Sequence, residues 1–563
     1  MRTFYSALFV LSTAALAQSP AAPKPIAVEG KVVGSIGGEP LRKVELKLTT
    51  SDLPEGMEGM EAMFGNANPA AAPDQPNAKN KTFSATTGDG GKFRFDQVEP
   101  GDYFLSAKRV GYVDGRYKPE GKYAADGKLR LRAGDSLTDV EFRLVPLGVV
   151  GGRVIDEDGD PVSGATVVAQ SFSYSSGRRR MAPADFGQTN DRGEFRLGKL
   201  KPGRYYLNVG PSNANPLAET PPPPKDGLPE TGYVSTYYPG VTDVGQATAI
   251  SVKAGADVSG YDIQLRKSKV VRIKGKAVDA DGKPLSNAMV MLMSAGNPAG
   301  MRMRMLNNPE GRFEIAGVEP GSYMIMTTQM GGSSPSIHMQ ALVVPAEGLD
   351  DVRLGLQPEG TVQGNIVVAG NDKVALKGLA VMLAGGEDAP TMPVFANASE
   401  SGDFVVKKLS AAPYNLALPY LPDGTYLKSV QLGGRERLGQ TLDFSAGFAA
   451  PIQVVLGTDG GEFEATVSRD DKPVADATVV LLTADPNGRF PETTRTGESD
   501  SAGHVKLKDV PPGDYVAFAW EEVEQGEWLD AGFLKPFDNQ AARVRIQPKG
   551  HEKAQLALIP AAK

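Results

Sequence analysis

The feature that most constrains this chain is a short pattern that recurs five times along its 563 residues. In each copy a glycine turn precedes a hydrophobic residue, and a tyrosine stands ten residues after that hydrophobic residue. The pairs, in chain order, are Phe93 and Tyr103, Phe195 and Tyr205, Phe313 and Tyr323, Phe404 and Tyr414, and Val505 and Tyr515. A pattern that returns about every 100 residues indicates one domain-sized unit used repeatedly.

The residues around each tyrosine predict a β-hairpin. Pro-Gly stands just before the tyrosine in copies one, two, three and five, whereas copy four has Ala411-Ala412. Proline fixes φ and glycine tolerates a positive φ, so Pro-Gly is typical of a tight turn between strands. Each copy then closes with apolar residues at every second position, as in Val140, Phe142 and Leu144. This period of two predicts a strand with one face on a core.

A third pattern opens the copies. In copy two, Gly152-Arg153-Val154 is followed by the turn Asp158-Gly159-Asp160-Pro161 and by an apolar strand from Ala165 to Ala169. An Asp-Gly turn joins two antiparallel strands. Six or seven short strands per copy can bury their apolar faces only as two packed sheets. We therefore predict an all-β fold of five tandem antiparallel β-sandwich domains, Ig-like or prealbumin-like.

The predicted domains follow an export signal. The boundaries are 1–17 for a signal peptide and 26–145, 146–266, 269–357, 360–457 and 460–562 for repeats 1 to 5. Arg2 precedes a mostly apolar stretch that ends in Ala15-Leu16-Ala17, which has the small-x-small pattern of a cleavage site. A membrane anchor is the alternative, but the apolar run is shorter than the roughly 20 residues that a spanning helix needs. We predict a mature chain without a transmembrane segment in the periplasm, on the outer-membrane surface or outside the cell.

Composition excludes some classes of protein. The chain has no cysteine, so neither a disulfide nor a lipid-modified cysteine is available. Its net charge is -7, with both signs spread along the sequence. Nucleic-acid binding needs a basic patch, and we therefore predict no nucleic-acid partner.

The order of these motifs resembles a known family. Copy two carries Gly152-Arg153-Val154, the Asp158 to Pro161 turn, Asp191-Arg192-Gly193-Glu194-Phe195 and Pro202-Gly203-Arg204-Tyr205. This series resembles the carboxypeptidase regulatory-like domain, a prealbumin-like or carbohydrate-binding-like β-sandwich. The whole layout is similar to multi-repeat envelope proteins of Gram-negative bacteria that carry such domains. The resemblance implies a non-catalytic, accessory role, often with carbohydrate or protein contacts.

The sequence offers no catalytic constellation. The histidines are His338, His504 and His551, and none has the glutamate three residues later that a carboxypeptidase zinc site requires. The segment from Gly134 to Leu137 reads Gly-Asp-Ser-Leu, like a hydrolase nucleophile motif, but no histidine follows an aspartate at the spacing of its base. The acidic turn Asp156 to Asp160 lacks the spacing of a calcium loop. We predict no enzyme, no cofactor and no metal.

Two groups of aromatic residues are candidate ligand contacts. Trp520 and Trp528 flank an acidic stretch and would form an exposed patch for a sugar or protein, or else belong to the core. Tyr233, Tyr237 and Tyr238 follow a proline-rich segment and would stack on sugar rings. Three insertions at an equivalent position, Ser51–Asn80, Phe172–Phe186 and Ala295–Leu306, would be binding loops at one pole of each sandwich or simple surface insertions.

These residues lead to one principal hypothesis and two alternatives. The principal hypothesis is a semi-rigid rod of β-sandwiches that binds carbohydrate or an envelope protein through loops and exposed aromatics. A structural spacer, or an accessory subunit of an outer-membrane complex, is the chief alternative. A hydrolase with an unrecognised site is the other. The oligomeric state is left open.

Overall fold

The computed structural model describes residues 26–50, 81–117, 124–125, 128–175, 178–210, 220–224, 229–279, 281–294, 297–329, 337–355, 359–370, 372–386 and 393–561. The predicted signal peptide and the predicted loop Ser51–Asn80 lie outside these residues. The described residues form two compact units, one up to Leu147 and one from Gly148 onward. No helix in the described part is long and apolar enough to cross a membrane.

Repeats 1 and 2 consist of strands. Those of repeat 1 are β1 (Ile26–Gly34), β2 (Glu45–Thr49), β3 (Thr82–Thr86), β4 (Lys92–Val98), β5 (Gly101–Lys108), β6 (Gly115–Arg116), β7 (Ala124–Ala125), β8 (Lys128–Leu131) and β9 (Ser136–Leu144). Those of repeat 2 are β10 (Gly148–Ile155), β11 (Thr166–Ser175), β12 (Arg178–Gln188), β13 (Glu194–Leu200), β14 (Gly203–Gly210), β15 (Thr231–Tyr233), β16 (Thr236–Tyr237), β17 (Ile250–Val252), β18 (Asp257–Val258), β19 (Ile263–Gln264) and β20 (Lys267–Lys269).

Repeats 3 and 4 are built in the same way. Repeat 3 has β21 (Val271–Val278), β22 (Ala288–Ser294), β23 (Asn297–Leu306), β24 (Arg312–Val318), β25 (Gly321–Gln329), β26 (Ile337–Val344) and β27 (Leu349–Gly355). Repeat 4 has β28 (Glu359–Ala369), β29 (Ala380–Gly385), β30 (Val394–Asn397), β31 (Asp403–Ser410), β32 (Pro413–Ala417), β33 (Tyr426–Leu432), β34 (Arg435–Glu436), β35 (Leu442–Asp443) and β36 (Ile452–Gly457).

Repeat 5 combines strands with a helical insertion. Its strands are β37 (Gly461–Arg469), β38 (Lys472–Pro473), β39 (Thr478–Thr483), β40 (Arg495–Glu498), β41 (His504–Val510), β42 (Gly513–Trp520), β43 (Ala542–Ile546) and β44 (His551–Ile559). Short helical turns lie at Pro486–Gly488 and Pro491–Thr493, between β39 and β40. The helical insertion lies between β42 and β43 and consists of the turn Glu527–Leu529, the one-turn α-helix Ala531–Leu534 and the turn Lys535–Gln540. The pairing of β42 with β44 joins its two layers into one eight-stranded sheet.

Repeat 3 shows the sheet topology most simply. One sheet has the order β24-β21-β27 and the other has the order β23-β22-β25-β26. The first strand, β21, pairs antiparallel with β24 and parallel with the last strand, β27. Corresponding parallel pairs join the first and last strands of repeats 1, 4 and 5, and in repeat 2 the first strand pairs in parallel with β18 and β19. The predicted tandem β-sandwich is confirmed, but the sheets are mixed rather than antiparallel throughout. The parallel pair forms because the chain crosses to the second sheet and back before its last strand.

Each repeat has its own cluster of buried hydrophobic residues. The five clusters span 26–144, 150–265, 271–354, 362–456 and 463–558. The alternating residues of the closing strands point into them, as Val140, Phe142 and Leu144 do in repeat 1. A sixth cluster in repeat 5 lies between the back of β39 and β42 and the helical insertion.

The repeated tyrosine closes its own hairpin. In four repeats its hydroxyl donates a hydrogen bond to the backbone carbonyl four residues earlier, as Tyr205 does to Lys201 over 2.7 Å. Repeat 4 lacks Pro-Gly, and there the backbone N–H of Ser410 donates to the hydroxyl of Tyr414 over 3.1 Å. The tyrosine therefore fixes the turn with a hydrogen bond as well as filling the core.

The glycine before each repeated hydrophobic residue is required by close backbone approach. Gly503 has φ +75°, and a Cβ added to it would lie 2.6 Å from the carbonyl oxygen of Val467 on β37. Gly193 and Gly311 have similar positive φ values and similar crowding. Only glycine adopts this conformation without strain, which explains why the turn recurs.

Candidate binding surfaces

The three predicted tyrosines of repeat 2 lie in different surroundings. Tyr238 packs edge-on against Tyr261, with ring centroids 5.4 Å apart, at the rim of the core. Tyr233 has the ammonium of Lys267 4.9 Å from its ring. Tyr237 is half-buried, and burial, helped by the nearby Glu319 carboxylate, raises its pKa. The structure therefore does not bring the three rings together as one platform for a sugar.

The two tryptophans are core residues. Trp520 is 1 % exposed and Trp528 is 3 % exposed, and both belong to the sixth cluster. Trp520 stacks on Phe518 at 5.0 Å and contacts the rings of Phe533 and Phe537 from the helical insertion. The hypothesis of an exposed tryptophan patch is wrong, because the insertion, which carries Trp528, folds over the back of the sheet and buries both rings. The core alternative is what the structure shows.

Two of the predicted binding loops are instead strands. The segment Phe172–Phe186 lies mainly in the long hairpin of β11 and β12, and Ala295–Leu306 lies mainly in β23. Alternating side chains, such as Met and Arg in β23, give two faces of different polarity and suit a strand. At the hairpin of β11 and β12, the guanidinium carbon of Arg179 lies 3.6 Å from the centre of the Phe172 ring. Phe186 is 72 % exposed, which makes it one of the few large apolar side chains on the described surface.

Repeats 2 and 3 meet through a partly buried charged group. The backbone N–H of Ser235 in repeat 2 donates to Oε1 of Glu319 in repeat 3 over 2.6 Å. Burial raises the pKa of the Glu319 carboxyl, although this hydrogen bond opposes the shift. Nearby, Nη2 of Arg302 donates to the Gly317 carbonyl over 2.6 Å, and burial lowers the pKa of this guanidinium. A cavity of about 110 Å³ lies at this junction, lined by residues that include Ser235, Arg302 and Glu319.

Repeats 2 and 5 also touch, although repeats 3 and 4 separate them in the sequence. The hydroxyl of Tyr174, on β11, donates to Oε1 of Glu527 in the helical insertion. Burial and this carboxylate together raise the pKa of Tyr174 to about 12. Gly526 lies so close that an added Cβ would be 3.3 Å from Cβ of Tyr174. The expectation of a simple rod is therefore wrong for repeats 2 to 5.

A partly open cavity of about 260 Å³ lies between repeats 4 and 5. Repeat 4 contributes Asn415 and Leu416 from β32, Leu427 and Val430 from β33, and the segment Arg437–Gln440. Repeat 5 contributes Arg489–Glu492, from its connection between β39 and β40. Two guanidinium groups, one carboxyl and two side-chain amides thus line a space that also has an apolar wall.

The solvent face of β37, β41 and β44 carries a charge network. Nδ1 of His551 lies 2.8 Å from Glu462, and its Nε2 lies 3.0 Å from Glu464. Lys506 and Lys553 also pair with these glutamates. Possible metal-ligand atoms lie within 4.8 Å of one another here. Both imidazole nitrogens and both carboxylates already have partners, so the arrangement is that of a cross-strand ion-pair network.

Sequence reasoning missed the junctions and the cavity. Arg437 and Glu492 come from different repeats, and neither stands in a recognisable motif. The one available signal was the position of the connection 484–494, an insertion between β39 and β40 of the repeat pattern.

One comparison with known proteins bears on the fold of repeat 2. Residues 149–220, within repeat 2, match the model of the carboxypeptidase regulatory-like domain. No curated protein matches the chain. Among solved structures, the Bacillus anthracis TIE protein is 11 % identical, with 73 % of this chain and 74 % of that chain covered and a TM-score of 0.16.

Two pilin structures are also similar. A streptococcal ancillary pilin is 14 % identical over 59 % of this chain and 99 % of its own, with a TM-score of 0.16. The minor pilin GBS52 of Streptococcus agalactiae is 16 % identical over 43 % of this chain and 96 % of its own, with a TM-score of 0.20.

Proposed function

We propose that this protein is an exported, non-enzymatic component of the bacterial cell envelope that serves adhesion or assembly. The observation that carries the proposal is the direct contact between repeats 2 and 5, made by Tyr174 and Glu527. Together with the Ser235–Glu319 contact, it holds surface segments of different repeats in fixed relative positions. Fixed presentation of loops and strand edges suits a binding or structural module.

The five predicted domains, with the boundaries given above, are part of the proposal. Each proposed domain contains one complete hydrophobic cluster, and no cluster crosses a proposed boundary. A separate core is what allows a β-sandwich to fold as a unit. The regulatory-like family match within repeat 2 supports a role without catalysis.

Protein contact at the hairpin of β11 and β12 is better supported than sugar stacking on the predicted aromatics. Phe186 is exposed there, and the exposed Arg179 and Arg180 lie on the same strand. Exposed aromatic and arginine side chains are both enriched in protein-binding surfaces, and here they lie about 20 Å apart along one strand. The buried tryptophans and half-buried tyrosines offer a sugar much less aromatic surface.

Photocrosslinking in intact cells tests this function. A photoreactive amino acid replaces Phe186 in the full chain, and a matched chain carries it at Val343, which is equally exposed at 72 % on repeat 3. We expect cleavage of the first 17 residues and capture of one envelope protein from position 186 but not from position 343. A protein that stays in the cytoplasm with its amino terminus uncleaved would overturn the proposal.

One observation favours the alternative of a structural spacer or accessory subunit. The tryptophans are buried in the core of repeat 5 and are therefore not available to a ligand. A spacer or accessory subunit would give no discrete crosslink from either position. Deleting repeat 5 would then alter the spacing or assembly of the envelope complex rather than abolish a binding event.

A further inference from the structure

The cavity between repeats 4 and 5 has the composition of a ligand site. Its volume of about 260 Å³ lies just below the range of about 300–1,000 Å³ that is usual for small-molecule pockets. Its floor is formed by Leu416, Leu427 and Val430, which are core residues of repeat 4. The cavity is therefore the open end of the repeat 4 sandwich, with repeat 5 as its cover.

Arg437 is incompletely satisfied in this space. Its Nη1 donates to Oε1 of Gln440 over 3.2 Å, whereas its Nε is buried and has no hydrogen-bond partner among the described residues. A buried donor without a partner costs free energy. Arg489, across the junction, uses its Nε to bind the carbonyl of Thr483 over 3.0 Å. A guanidinium has five N–H donors, and both arginines therefore have spare donors for an anion.

Glu492 limits the charge of that anion. Its carboxyl lines the same cavity, and burial raises its pKa. It forms no ion pair with Arg437 or Arg489 among the described contacts. A carboxyl here exchanges hydrogen bonds with hydroxyl groups, and in its ionised form it disfavours additional negative charge on the ligand. The amides of Asn415 and Gln440 add further hydrogen-bonding groups on the repeat 4 side.

The wall of the cavity is held in place by backbone hydrogen bonds. The backbone N–H of Phe490 donates to Oγ1 of Thr493 over 3.0 Å, and the hydroxyl of Thr494 donates to the Phe490 carbonyl over 2.8 Å. The Phe490 ring lies directly on Gly439, which has φ +70° and no room for a Cβ. A fixed aromatic ring beside hydrogen-bonding groups is suited to the C–H face of a sugar.

We propose that this cavity binds a single sugar ring that carries one carboxylate, that is, a hexuronate. The carboxylate contacts Arg437 and Arg489, the hydroxyls contact Glu492 and the two amides, and the ring lies against Phe490. The inference rests on the proposed role in adhesion, and it names one class of ligand that the protein would bind in that role. It concerns a different surface from the hairpin of β11 and β12.

Calorimetry on the full mature chain tests the site with D-galacturonate as the probe. We expect saturable, millimolar binding, as for a single small ring, and much weaker binding of neutral galactose and of acetate. Arg437→Met removes the charge but keeps the stem, and we expect its Kd to rise tenfold or more. Arg435→Met, two residues away on an exposed strand, is the matched control and should bind like the unaltered chain.

Three results would overturn the site: no saturable galacturonate binding, equal binding of galactose, or an unchanged Kd for Arg437→Met. Hydrogen–deuterium exchange of the unaltered chain keeps the test decisive even where that variant does not fold. Galacturonate should then protect residues 435–440 and 486–494, and lack of protection there rejects the proposal. Failure here is distinct from failure of the envelope function, because the crosslinking from position 186 does not involve this cavity.

Discussion

The hydroxyl of Tyr174 lies 3.0 Å from Oε1 of Glu527, although 353 residues separate them in the chain. Tyr174 extends from the β11–β12 hairpin of repeat 2, and Glu527 belongs to the helical insertion of repeat 5. The contact therefore joins two repeats that are not neighbours in sequence. Repeats 2 to 5 cannot act as independent beads while it is formed.

A disulfide across this contact should form, although a cysteine at Gly526, where φ is +84°, costs about 1–2 kcal/mol of backbone strain. Because an added Cβ at Gly526 would lie 3.3 Å from Cβ of Tyr174, the pair Tyr174→Cys and Gly526→Cys is close to disulfide geometry. The chain has no native cysteine to compete. We expect oxidation to give a faster-migrating monomer on a non-reducing gel.

The matched control pairs Tyr174→Cys with Gly513→Cys, a glycine whose close neighbour is the ring of Tyr515 instead. This pair should remain reduced as a monomer. Equal crosslinking of the two pairs would mean that the repeats move freely and that the Tyr174–Glu527 contact is not a stable junction.

The junction between repeats 2 and 3 should depend on pH through Glu319. Burial raises the pKa of this carboxyl above its ordinary value of 4.5, so the folded state favours the protonated form. That stabilisation is present below about pH 4.5 and is lost as pH rises through the raised pKa. Glu319→Gln, which keeps an acceptor for Ser235 without the charge, should raise the melting temperature at pH 7 more than at pH 4.

Scanning calorimetry of the full chain at both pH values measures this difference. Glu310→Gln, on an exposed turn of the same repeat, provides the control and should change neither melting temperature. A Glu319→Gln chain that is less stable at pH 7 than at pH 4, relative to the unaltered chain, would contradict the prediction.

The repeated tyrosine should stabilise its own repeat. Tyr515→Phe removes the hydrogen bond to the Pro511 carbonyl, 2.7 Å long, and leaves that acceptor without its partner. We expect a loss of about 1 kcal/mol in the free energy of unfolding of repeat 5. Both tryptophans lie in repeat 5, so tryptophan fluorescence during urea unfolding reports on this repeat alone. Tyr103→Phe in repeat 1 should leave that signal unchanged, and an equal effect of the two variants would refute the local role.

The turn glycine of the same repeat should tolerate no side chain. Gly503→Ala combines a positive φ, costing about 1–2 kcal/mol, with a contact to the Val467 carbonyl that requires β37 to shift. We expect the tryptophan fluorescence of repeat 5 to report unfolding at a clearly lower urea concentration than in the unaltered chain. Gly488→Ala, in a turn without positive φ or close backbone contact, should be nearly neutral, and a similar loss in both would show that crowding at Gly503 is not the cause.

Much of the fold was predictable because its causes are local. Period-two alternation at Val140, Phe142 and Leu144 specifies a half-buried strand, and Gly503 and its equivalents specify a turn that only glycine can adopt. The same local reading failed for Phe172–Phe186 and Ala295–Leu306. There the strand period was present, but the expectation of an insertion outweighed it.

The sequence by itself determined the class of fold, the number of pattern copies and the turns that separate their strands, since each depends on neighbours within a few residues. Only the tertiary structure decided which aromatics are exposed, because Trp520 becomes buried when the helical insertion folds over it. It also decided which repeats meet: Tyr174 finds Glu527, and Arg437 faces Glu492 across a cavity, through packing between residues far apart in the chain. Periodicity carries no information about such contacts, because they depend on how whole domains are oriented.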